Sequence, residues 1–292
     1  MTAPYALVLP ALVVIVAVLG YPLYRLFTLS FQQYGLVELI QHQGTWIGLD
    51  NFQAILSDRQ FWTVLFRTIL FTAVTVSLTM VLGTLIALLL ARLGAFMRLL
   101  ITTALVLAWA MPPVVAVNIW SWMVDYEFGV LNWTLARIGL ERYDHHDWFV
   151  NPYEGFAVIT AIVVWGAVPF VTITIFAGLT QVSRELNEAA AIDGAGPVRR
   201  FRDITLPILK PIFVILASLS VIWNFQVFTQ IWIIRNARPE EDYFLMSIYS
   251  FVESFGKSEY GYGSAIAVVT VLTLIAVTFF YIRQMVRIGE LE

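Results

Sequence analysis

The chain has no cysteine and few charges: only 13% of its 292 residues are Asp, Glu, Lys or Arg. Without cysteine there is neither a disulfide framework nor a thiolate metal site. So low a charge density excludes an ordinary soluble domain, in which about 25% of residues are charged and about 45–50% apolar. A formal net charge of −3 offers no electrostatic attraction to a nucleic acid, and no nucleic-acid partner is expected. What takes the place of charge is hydrophobic surface: 60% of the residues are apolar and the mean hydropathy is +0.80. The natural surroundings of such a chain are a lipid bilayer.

A helix needs about 20 mostly apolar residues to cross about 30 Å of hydrocarbon. Six segments qualify: Tyr5–Tyr24, Thr68–Ala91, Leu99–Val124, Phe156–Gly178, Leu209–Ile234 and Ser264–Ile282. A bilayer offers no water to unpaired backbone groups, so each segment is expected as a helix, and the fold class is an all-α membrane protein with six spans. The first run has no basic residues before it and is too long for a signal peptide, which leaves it as a retained helix. With both termini on the inner side, the inner segments hold Arg92, Arg98, Arg184, Arg199, Arg200, Arg202, Lys210, Arg283 and Arg287. That is nine of the 17 basic residues, in segments about half as long as the outer ones. The density of Lys and Arg therefore favours cytoplasmic termini.

Three outer connections are long, residues 25–67, 125–155 and 235–263, and rich in Trp, Tyr, Gly and acids, as suits interfacial aromatic belts. Met111-Pro112-Pro113 interrupts the third span, and Gly166 with Pro169 marks the fourth. Proline removes a backbone donor and kinks a helix, and in transporters such breaks often line a cavity. A kink absorbed by neighbouring helices accounts for each of them equally well.

Residues 188–207, EAAAIDGAGPVRRFRDITLP, form a polar loop between two apolar stretches. Glu188 to Asp193 favours a short helix, Gly194 and Gly196 stop it, and Pro197 suits a new helical start. The small side chains of Ala189, Ala190 and Ala191 permit close approach of a partner. Glu188, Arg199, Arg200 and Arg202 are placed to form ion pairs at its rim.

The register of Glu188-Ala189-Ala190, Gly194, Ile204, Leu206 and Pro207 resembles the EAA loop of the membrane-spanning subunits of binding-protein-dependent ABC importers. Tyr21-Pro22-Leu23-Tyr24 with Ser30-Phe31, Gly48-Leu49-Asp50-Asn51-Phe52, Gly129 with Asn132, and Gly261 to Val269 are similar to recurring pieces of the carbohydrate-uptake branch. Asn224-Phe225-Gln226-Val227-Phe228 is similar to the MalF-like permease rather than its MalG-like partner. The family usually continues with a Gly-Gly-Pro turn where this chain has Asn236-Ala237-Arg238-Pro239. By overall similarity the chain looks most like mycobacterial-type trehalose-importer permeases, without a sugar-specific motif.

The resemblance implies a multi-pass subunit of the bacterial inner membrane with the type I importer permease fold, one permease domain over residues 1–292. It implies half of an alternating-access pore in an ATP-driven importer of a disaccharide such as trehalose or maltose. The implied partners are a second, MalG-like permease, two ATP-binding subunits and an extracytoplasmic sugar-binding protein. ATP and Mg²⁺ would sit on the ATP-binding subunits, so this chain needs no cofactor, no metal and no catalytic residue of its own. Coupling to the ATPase would fall on the loop at residues 184–207, through Glu188, Ala189, Ala190, Asp193, Gly194, Ala195, Arg199 and Pro207.

A hydroxyl-rich solute asks for hydrogen-bonding groups beside flat apolar faces, and the fifth span supplies both in Trp223, Asn224, Gln226, Phe228, Gln230 and Trp232. On a continuous helix Asn224 and Gln226 point about 200° apart, whereas Trp223, Gln226 and Gln230 share a face. In maltose-type permeases the positions matching Asn224, Trp223 and Phe170 line the sugar site, so the resemblance places Asn224 first. Asn118 on the third span and Trp165 on the fourth are further candidates. Interhelical hydrogen bonding, worth about 0.6–2 kcal/mol, is the competing use for each amide.

Two other patterns carry less. Gly256-Lys257-Ser258 looks like the end of a phosphate-binding loop, but Phe251 stands where that loop needs glycine. Asp144-His145-His146-Asp147 has zinc-ligand chemistry, yet adjacent residues rarely converge on one ion without a distant ligand. The spans are almost free of ionisable groups at their centres, which argues against an ion-coupled secondary carrier, and no nucleophile or paired carboxylate points to an enzyme. Glycerol phosphate esters remain the alternative solutes within the importer class.

Overall fold

The computed structural model describes residues 3–289; residues 1–2 and 290–292, at the ends of the expected single domain, lie outside the described residues. The chain opens with α1 (Ala3–Ile15) and α2 (Tyr21–Ser30), joined by a π-helical turn at Val16–Gly20. The next connection carries α3 (Leu36–Gln41) inside an antiparallel ribbon of β1 (Gln32–Gln33) and β2 (Thr45–Trp46), in which Gln32 faces Trp46 and Gln33 faces Thr45, then α4 (Asp50–Ser57). The long helices follow: α5 (Arg59–Arg92), α6 (Ala95–Trp109), α7 (Pro113–Met123), the short α8 (Val130–Arg137) and α9 (Pro152–Leu179). After α10 (Arg184–Ile192) and α11 (Pro197–Arg200), a π turn at Phe201–Thr205 leads into α12 (Leu206–Phe225). The chain ends with α13 (Thr229–Ile234), α14 (Met246–Phe251), a π turn at Val252–Gly256 and α15 (Tyr260–Gly289).

Among the described residues, five helical stretches are long and apolar enough to cross a bilayer, and there are six if the bent pair α6–α7 is taken as one broken span. The first runs on to Ser30 and buries none of its most apolar stretch in the protein, as a helix facing lipid does. The second begins at Arg59 rather than Thr68 because Asp58 supplies a start that hydropathy does not reveal. Its Oδ1 accepts from the Gln60 N–H (2.8 Å), while Oδ2 accepts from the Tyr249 hydroxyl (2.9 Å). Burial pushes the Tyr249 phenol up from its ordinary value, which keeps it a donor. The third span turns by 100° at Ala110–Pro112, the expected proline break. The fourth runs unbroken past Pro169, whose ring is buried against neighbouring helices. The fifth is not continuous: α12 stops at Phe225 and α13 starts at Thr229.

Two compact units divide the chain, Met1–Thr68 with Phe244–Ala276 and Ile69–Tyr243 with Val277–Glu292. In the first, the pieces of sequence around Ser30, Asn51 and Gly261 meet in one knot. Asn51 Nδ2 donates to the carbonyls of Ser30 and Gln32 (both 3.0 Å), and the Gly261 N–H donates to Tyr34 O (3.0 Å). A Cβ at Gly261 would lie 2.1 Å from Gln32 O, so only glycine allows that approach. In the second unit, buried Asn132 donates to the carbonyls of Asp125 (3.1 Å) and His146 (2.8 Å) and accepts from the Trp148 indole (2.6 Å). The core of this unit joins α5, α9 and α12 through Ala87, Val171, Ile175, Leu209 and Leu216.

The Asn236-Ala237-Arg238-Pro239 turn closes α13. The Ala237 N–H reaches Trp232 O (2.7 Å) and the Asn236 N–H reaches Ile233 O (2.9 Å), the paired bonds of a Schellman end. Asn236 and Ala237 take φ of 52° and 59°. Alanine in the left-handed region costs about 1–2 kcal/mol, more than the extra chain entropy of glycine, about 0.4–1 kcal/mol. Ala237→Gly is therefore expected to stabilise the protein by about 0.5–1 kcal/mol, read as a raised melting temperature in detergent; a lower one would contradict the strain. At the α5–α9 contact, a Cβ on Gly83 would lie 2.6 Å from Val171 Cγ1 and 3.3 Å from the Thr172 nitrogen, whereas Gly94 has no neighbour within 4 Å. Gly83→Val should cost about 1–3 kcal/mol and Gly94→Val much less, and equal melting temperatures would refute the packing.

Candidate functional site

Two features gather the residues singled out by the sequence. The first is the turn between α10 and α11. The Ala195 N–H donates to Ala190 O (2.9 Å) and the Gly194 N–H to Ala191 O (3.1 Å), closing α10 as a second Schellman end with Gly194 at φ 79°. Pro197 then occupies the first turn of α11. Glu188, Ala189, Asp193, Arg199 and Pro207 are exposed, and Ala190 and Ala195 are half-buried. Arg199 and Arg202 both turn to Asp203, at 3.5 and 2.7 Å, so these two arginines are spent locally, while the Nε of Arg200 between them is buried without a partner.

Ile192 and Val198, which sequence reasoning passed over, flank this turn with 87% and 80% of their surface exposed. Both are large apolar side chains beside the glycine turn, Ile192 outside the long apolar stretches and Val198 at the start of the one that runs from Pro197 to Ile234. The missing signal lay in the turn itself. Helical spacing does not show which residues stand at the tip once Gly194 reverses the chain.

The second feature is a cavity of about 270 Å³ within the second unit, walled by α9 and by the chain on either side of the two interruptions. Trp109, Met111 and Pro113 come from the α6–α7 break, Trp165, Gly166 and Phe170 from α9, and Ser220, Trp223, Asn224, Val227 and Gln230 from the α12–α13 break. Trp109 stacks on Phe170 (5.8 Å between centroids, 24° between planes), and Trp223 meets Phe170 edge-on (5.4 Å). No lining residue is ionisable.

Asn224 is only 3% exposed. Its Nδ2 donates to the Ser220 carbonyl (2.6 Å), but its Oδ1 is buried without a partner. A buried acceptor left unpaired costs about 1–3 kcal/mol, and a hydroxyl or N–H entering the cavity recovers it. Pro169 has no N–H for the Trp165 carbonyl one turn back, which leaves a second acceptor without its helical bond on this wall.

Of the seven residues proposed from sequence, Asn224, Trp223, Phe170, Gln230 and Trp165 line this one cavity. Gln226 and Asn118 do not. Gln226 caps the end of α12 and is exposed, so the helical face assumed for it with Trp223 and Gln230 does not exist. Asn118 is exposed on α7 with its Nδ2 on the Val114 carbonyl (2.8 Å). Trp109 went unremarked, although it stands three residues before the Pro112-Pro113 pair that turns the chain at the cavity. Elsewhere, His146 pairs with Glu154 (2.9 Å) and His145 with Asp144 (3.3 Å), and no group of three metal-ligating side chains forms among the described residues.

Comparison with known proteins places this arrangement. A family model described as the binding-protein-dependent transport system inner membrane component matches residues 80–287. A diacetylchitobiose uptake system permease protein of Streptomyces coelicolor is 43% identical over 290 residues, 99% of this chain and 88% of its own length. A trehalose/maltose transport system permease protein of Thermococcus litoralis is 32% identical over 280 residues, 96% of this chain and 92% of its own. In fold, a chain of a bacterial ABC transporter involved in the import of the acidic polysaccharide alginate superposes with a TM-score of 0.80 at 19% identity, covering 98% of this chain and 95% of that one. The chain belongs to the family of binding-protein-dependent transport system inner membrane components, the multi-pass permeases of ABC importers, and has their type I fold.

Proposed function

We propose that this chain is the MalF-like half of the translocation pathway of an ATP-driven importer of an uncharged disaccharide. The observation that carries the solute class is the unpartnered Asn224 Oδ1 in an aromatic cavity with no ionisable wall. Sugar hydroxyls donate to such an acceptor, and the apolar faces of a pyranose lie against Trp109, Phe170 and Trp223. The absence of a cation from the wall weighs against glycerol phosphate esters and other anions. Both relatives named above carry disaccharides in their names, diacetylchitobiose in one and trehalose or maltose in the other, and these three are the candidate solutes.

The remaining parts follow from the same reading. An extracytoplasmic binding protein delivers the sugar, and a MalG-like permease supplies the other half of the pathway. Two ATPase subunits, holding ATP and Mg²⁺, receive the α10–α11 turn on the cytoplasmic side. The density of basic residues around that turn supports the orientation, with both termini cytoplasmic. Glu188, Ala189, Ala190, Asp193, Gly194, Ala195, Arg199 and Pro207 form the coupling surface on this reading, and the exposed apolar side chains of Ile192 and Val198 beside them support it.

The decisive experiment is ATP hydrolysis by the assembled importer in lipid, with trehalose, maltose, N,N′-diacetylchitobiose or a glycerol phosphate ester presented on its binding protein. Stimulation by one of the sugars identifies the solute; stimulation by the phosphate ester alone would sink the uncharged-sugar reading. Asn224→Leu removes the orphan acceptor at similar volume, and the KM for uptake is expected to rise about 5- to 100-fold; an unchanged KM would move the sugar site elsewhere. Gly194→Val forces a β-branched residue into the left-handed region, and Glu188→Ala removes one of the two carboxylates of α10. Each variant should insert and assemble while losing sugar-stimulated hydrolysis, and normal uptake by both would overturn the coupling assignment.

A further inference from the structure

The apolar surface of the second unit next to the α10–α11 turn is cut by two open grooves. One, of about 470 Å³, is bounded by Met80, Leu85 and Arg92 of α5, Val198 of α11, Phe201 and Phe213. The other, of about 530 Å³, runs along Pro207, Lys210, Val214 and Ala217. Met80, Leu206 and Phe213 belong to both and form the ridge between them. The lining is otherwise apolar apart from Thr84, whose hydroxyl is spent on the Met80 carbonyl (2.6 Å).

Each groove has one cation: Arg92, the last residue of α5, and Lys210, in the second turn of α12. Both are exposed, and neither has a hydrogen bond or ion pair among the described residues. Nearby on α11, Arg200 keeps a buried Nε without a partner, whereas three other cations are occupied. Arg98 donates to the carbonyls of Leu90 (3.1 Å) and Leu93 (2.8 Å), and Arg199 and Arg202 share Asp203. Two uncompensated positive charges over two apolar troughs with a common ridge are the complement of a two-chain anionic lipid.

We infer that this face is a binding site for an anionic phospholipid of the leaflet beside the α10–α11 turn, its phosphate held by Arg92 and Lys210 and its two acyl chains in the grooves on either side of Phe213. Val198 and Phe201 contribute one wall, so the occupied site would brace α11, the second arm of the turn, against the bilayer. The inference needs the chain only to span a membrane and stands apart from the choice of solute.

The test is native mass spectrometry of the intact importer complex, counting phosphatidylglycerol and phosphatidylcholine retained through detergent. Wild type is expected to retain phosphatidylglycerol in preference. At about 1 kcal/mol per basic residue, Arg92→Gln or Lys210→Gln should weaken retention about fivefold and the double variant about thirtyfold. Leu85→Trp, which fills a groove without changing charge, should also reduce it. Equal retention of the two lipids by wild type, or full retention by the double variant, would reduce the face to ordinary lipid contact and overturn the site. Displacement of phosphatidylglycerol by free glycerol phosphate would make it a site for the anion alone. A disulfide formed with an added oxidant between Leu85→Cys and a cysteine introduced on the neighbouring permease would show that protein covers it and overturn the lipid site.

Discussion

Inside hydrocarbon a backbone N–H or C=O has no water to turn to, and each one left unsatisfied costs several kcal/mol. That constraint makes the spans helical, and it also decides where they can fail to be. Two of them are interrupted, at Ala110–Pro112 and at Gln226–Phe228. Both interruptions contribute to the wall of the same cavity, opposite Gly166 and Phe170 of the unbroken α9. Irregular backbone at membrane depth is tolerated where protein or a filled cavity surrounds it, so the breaks and the cavity account for each other.

Polar side chains obey the same rule. Asn224 is held by one strong bond to the helix behind it, which fixes the amide and commits its donor side. What faces the cavity is therefore an acceptor already in position, with no ordering left to do when a donor arrives. The rings of Trp109, Trp165, Phe170 and Trp223 around it are rigid for their size. As the solute site proposed above, this cavity would discriminate by shape and by the direction of one hydrogen bond rather than by charge.

The regular parts of the molecule were legible because hydropathy and helix-ending chemistry are local. The six apolar runs, the Met111-Pro112-Pro113 break and the Gly194 and Pro197 boundaries of the α10–α11 turn all appear in the structure near where the residues place them. What could not be read depends on contacts distant in sequence. The start of α5 at Arg59 rests on Asp58, whose other oxygen is held by Tyr249, 191 positions away. Gln226 was assigned to the face of Trp223 by a periodicity that ends with α12 at Phe225. Ser220 carries no motif at all, and its carbonyl matters only because it occupies one side of the Asn224 amide.

The apolar tip of the α10–α11 turn has a consequence for the life of the protein before assembly. Burying a side chain the size of Ile192 or Val198 is worth about 1.5–3 kcal/mol, and both stand almost fully out of the protein. On the coupling assignment proposed above, a copy whose ATPase has not yet arrived carries that uncovered surface until it meets one, and the same two side chains distinguish an unassembled copy from an assembled one.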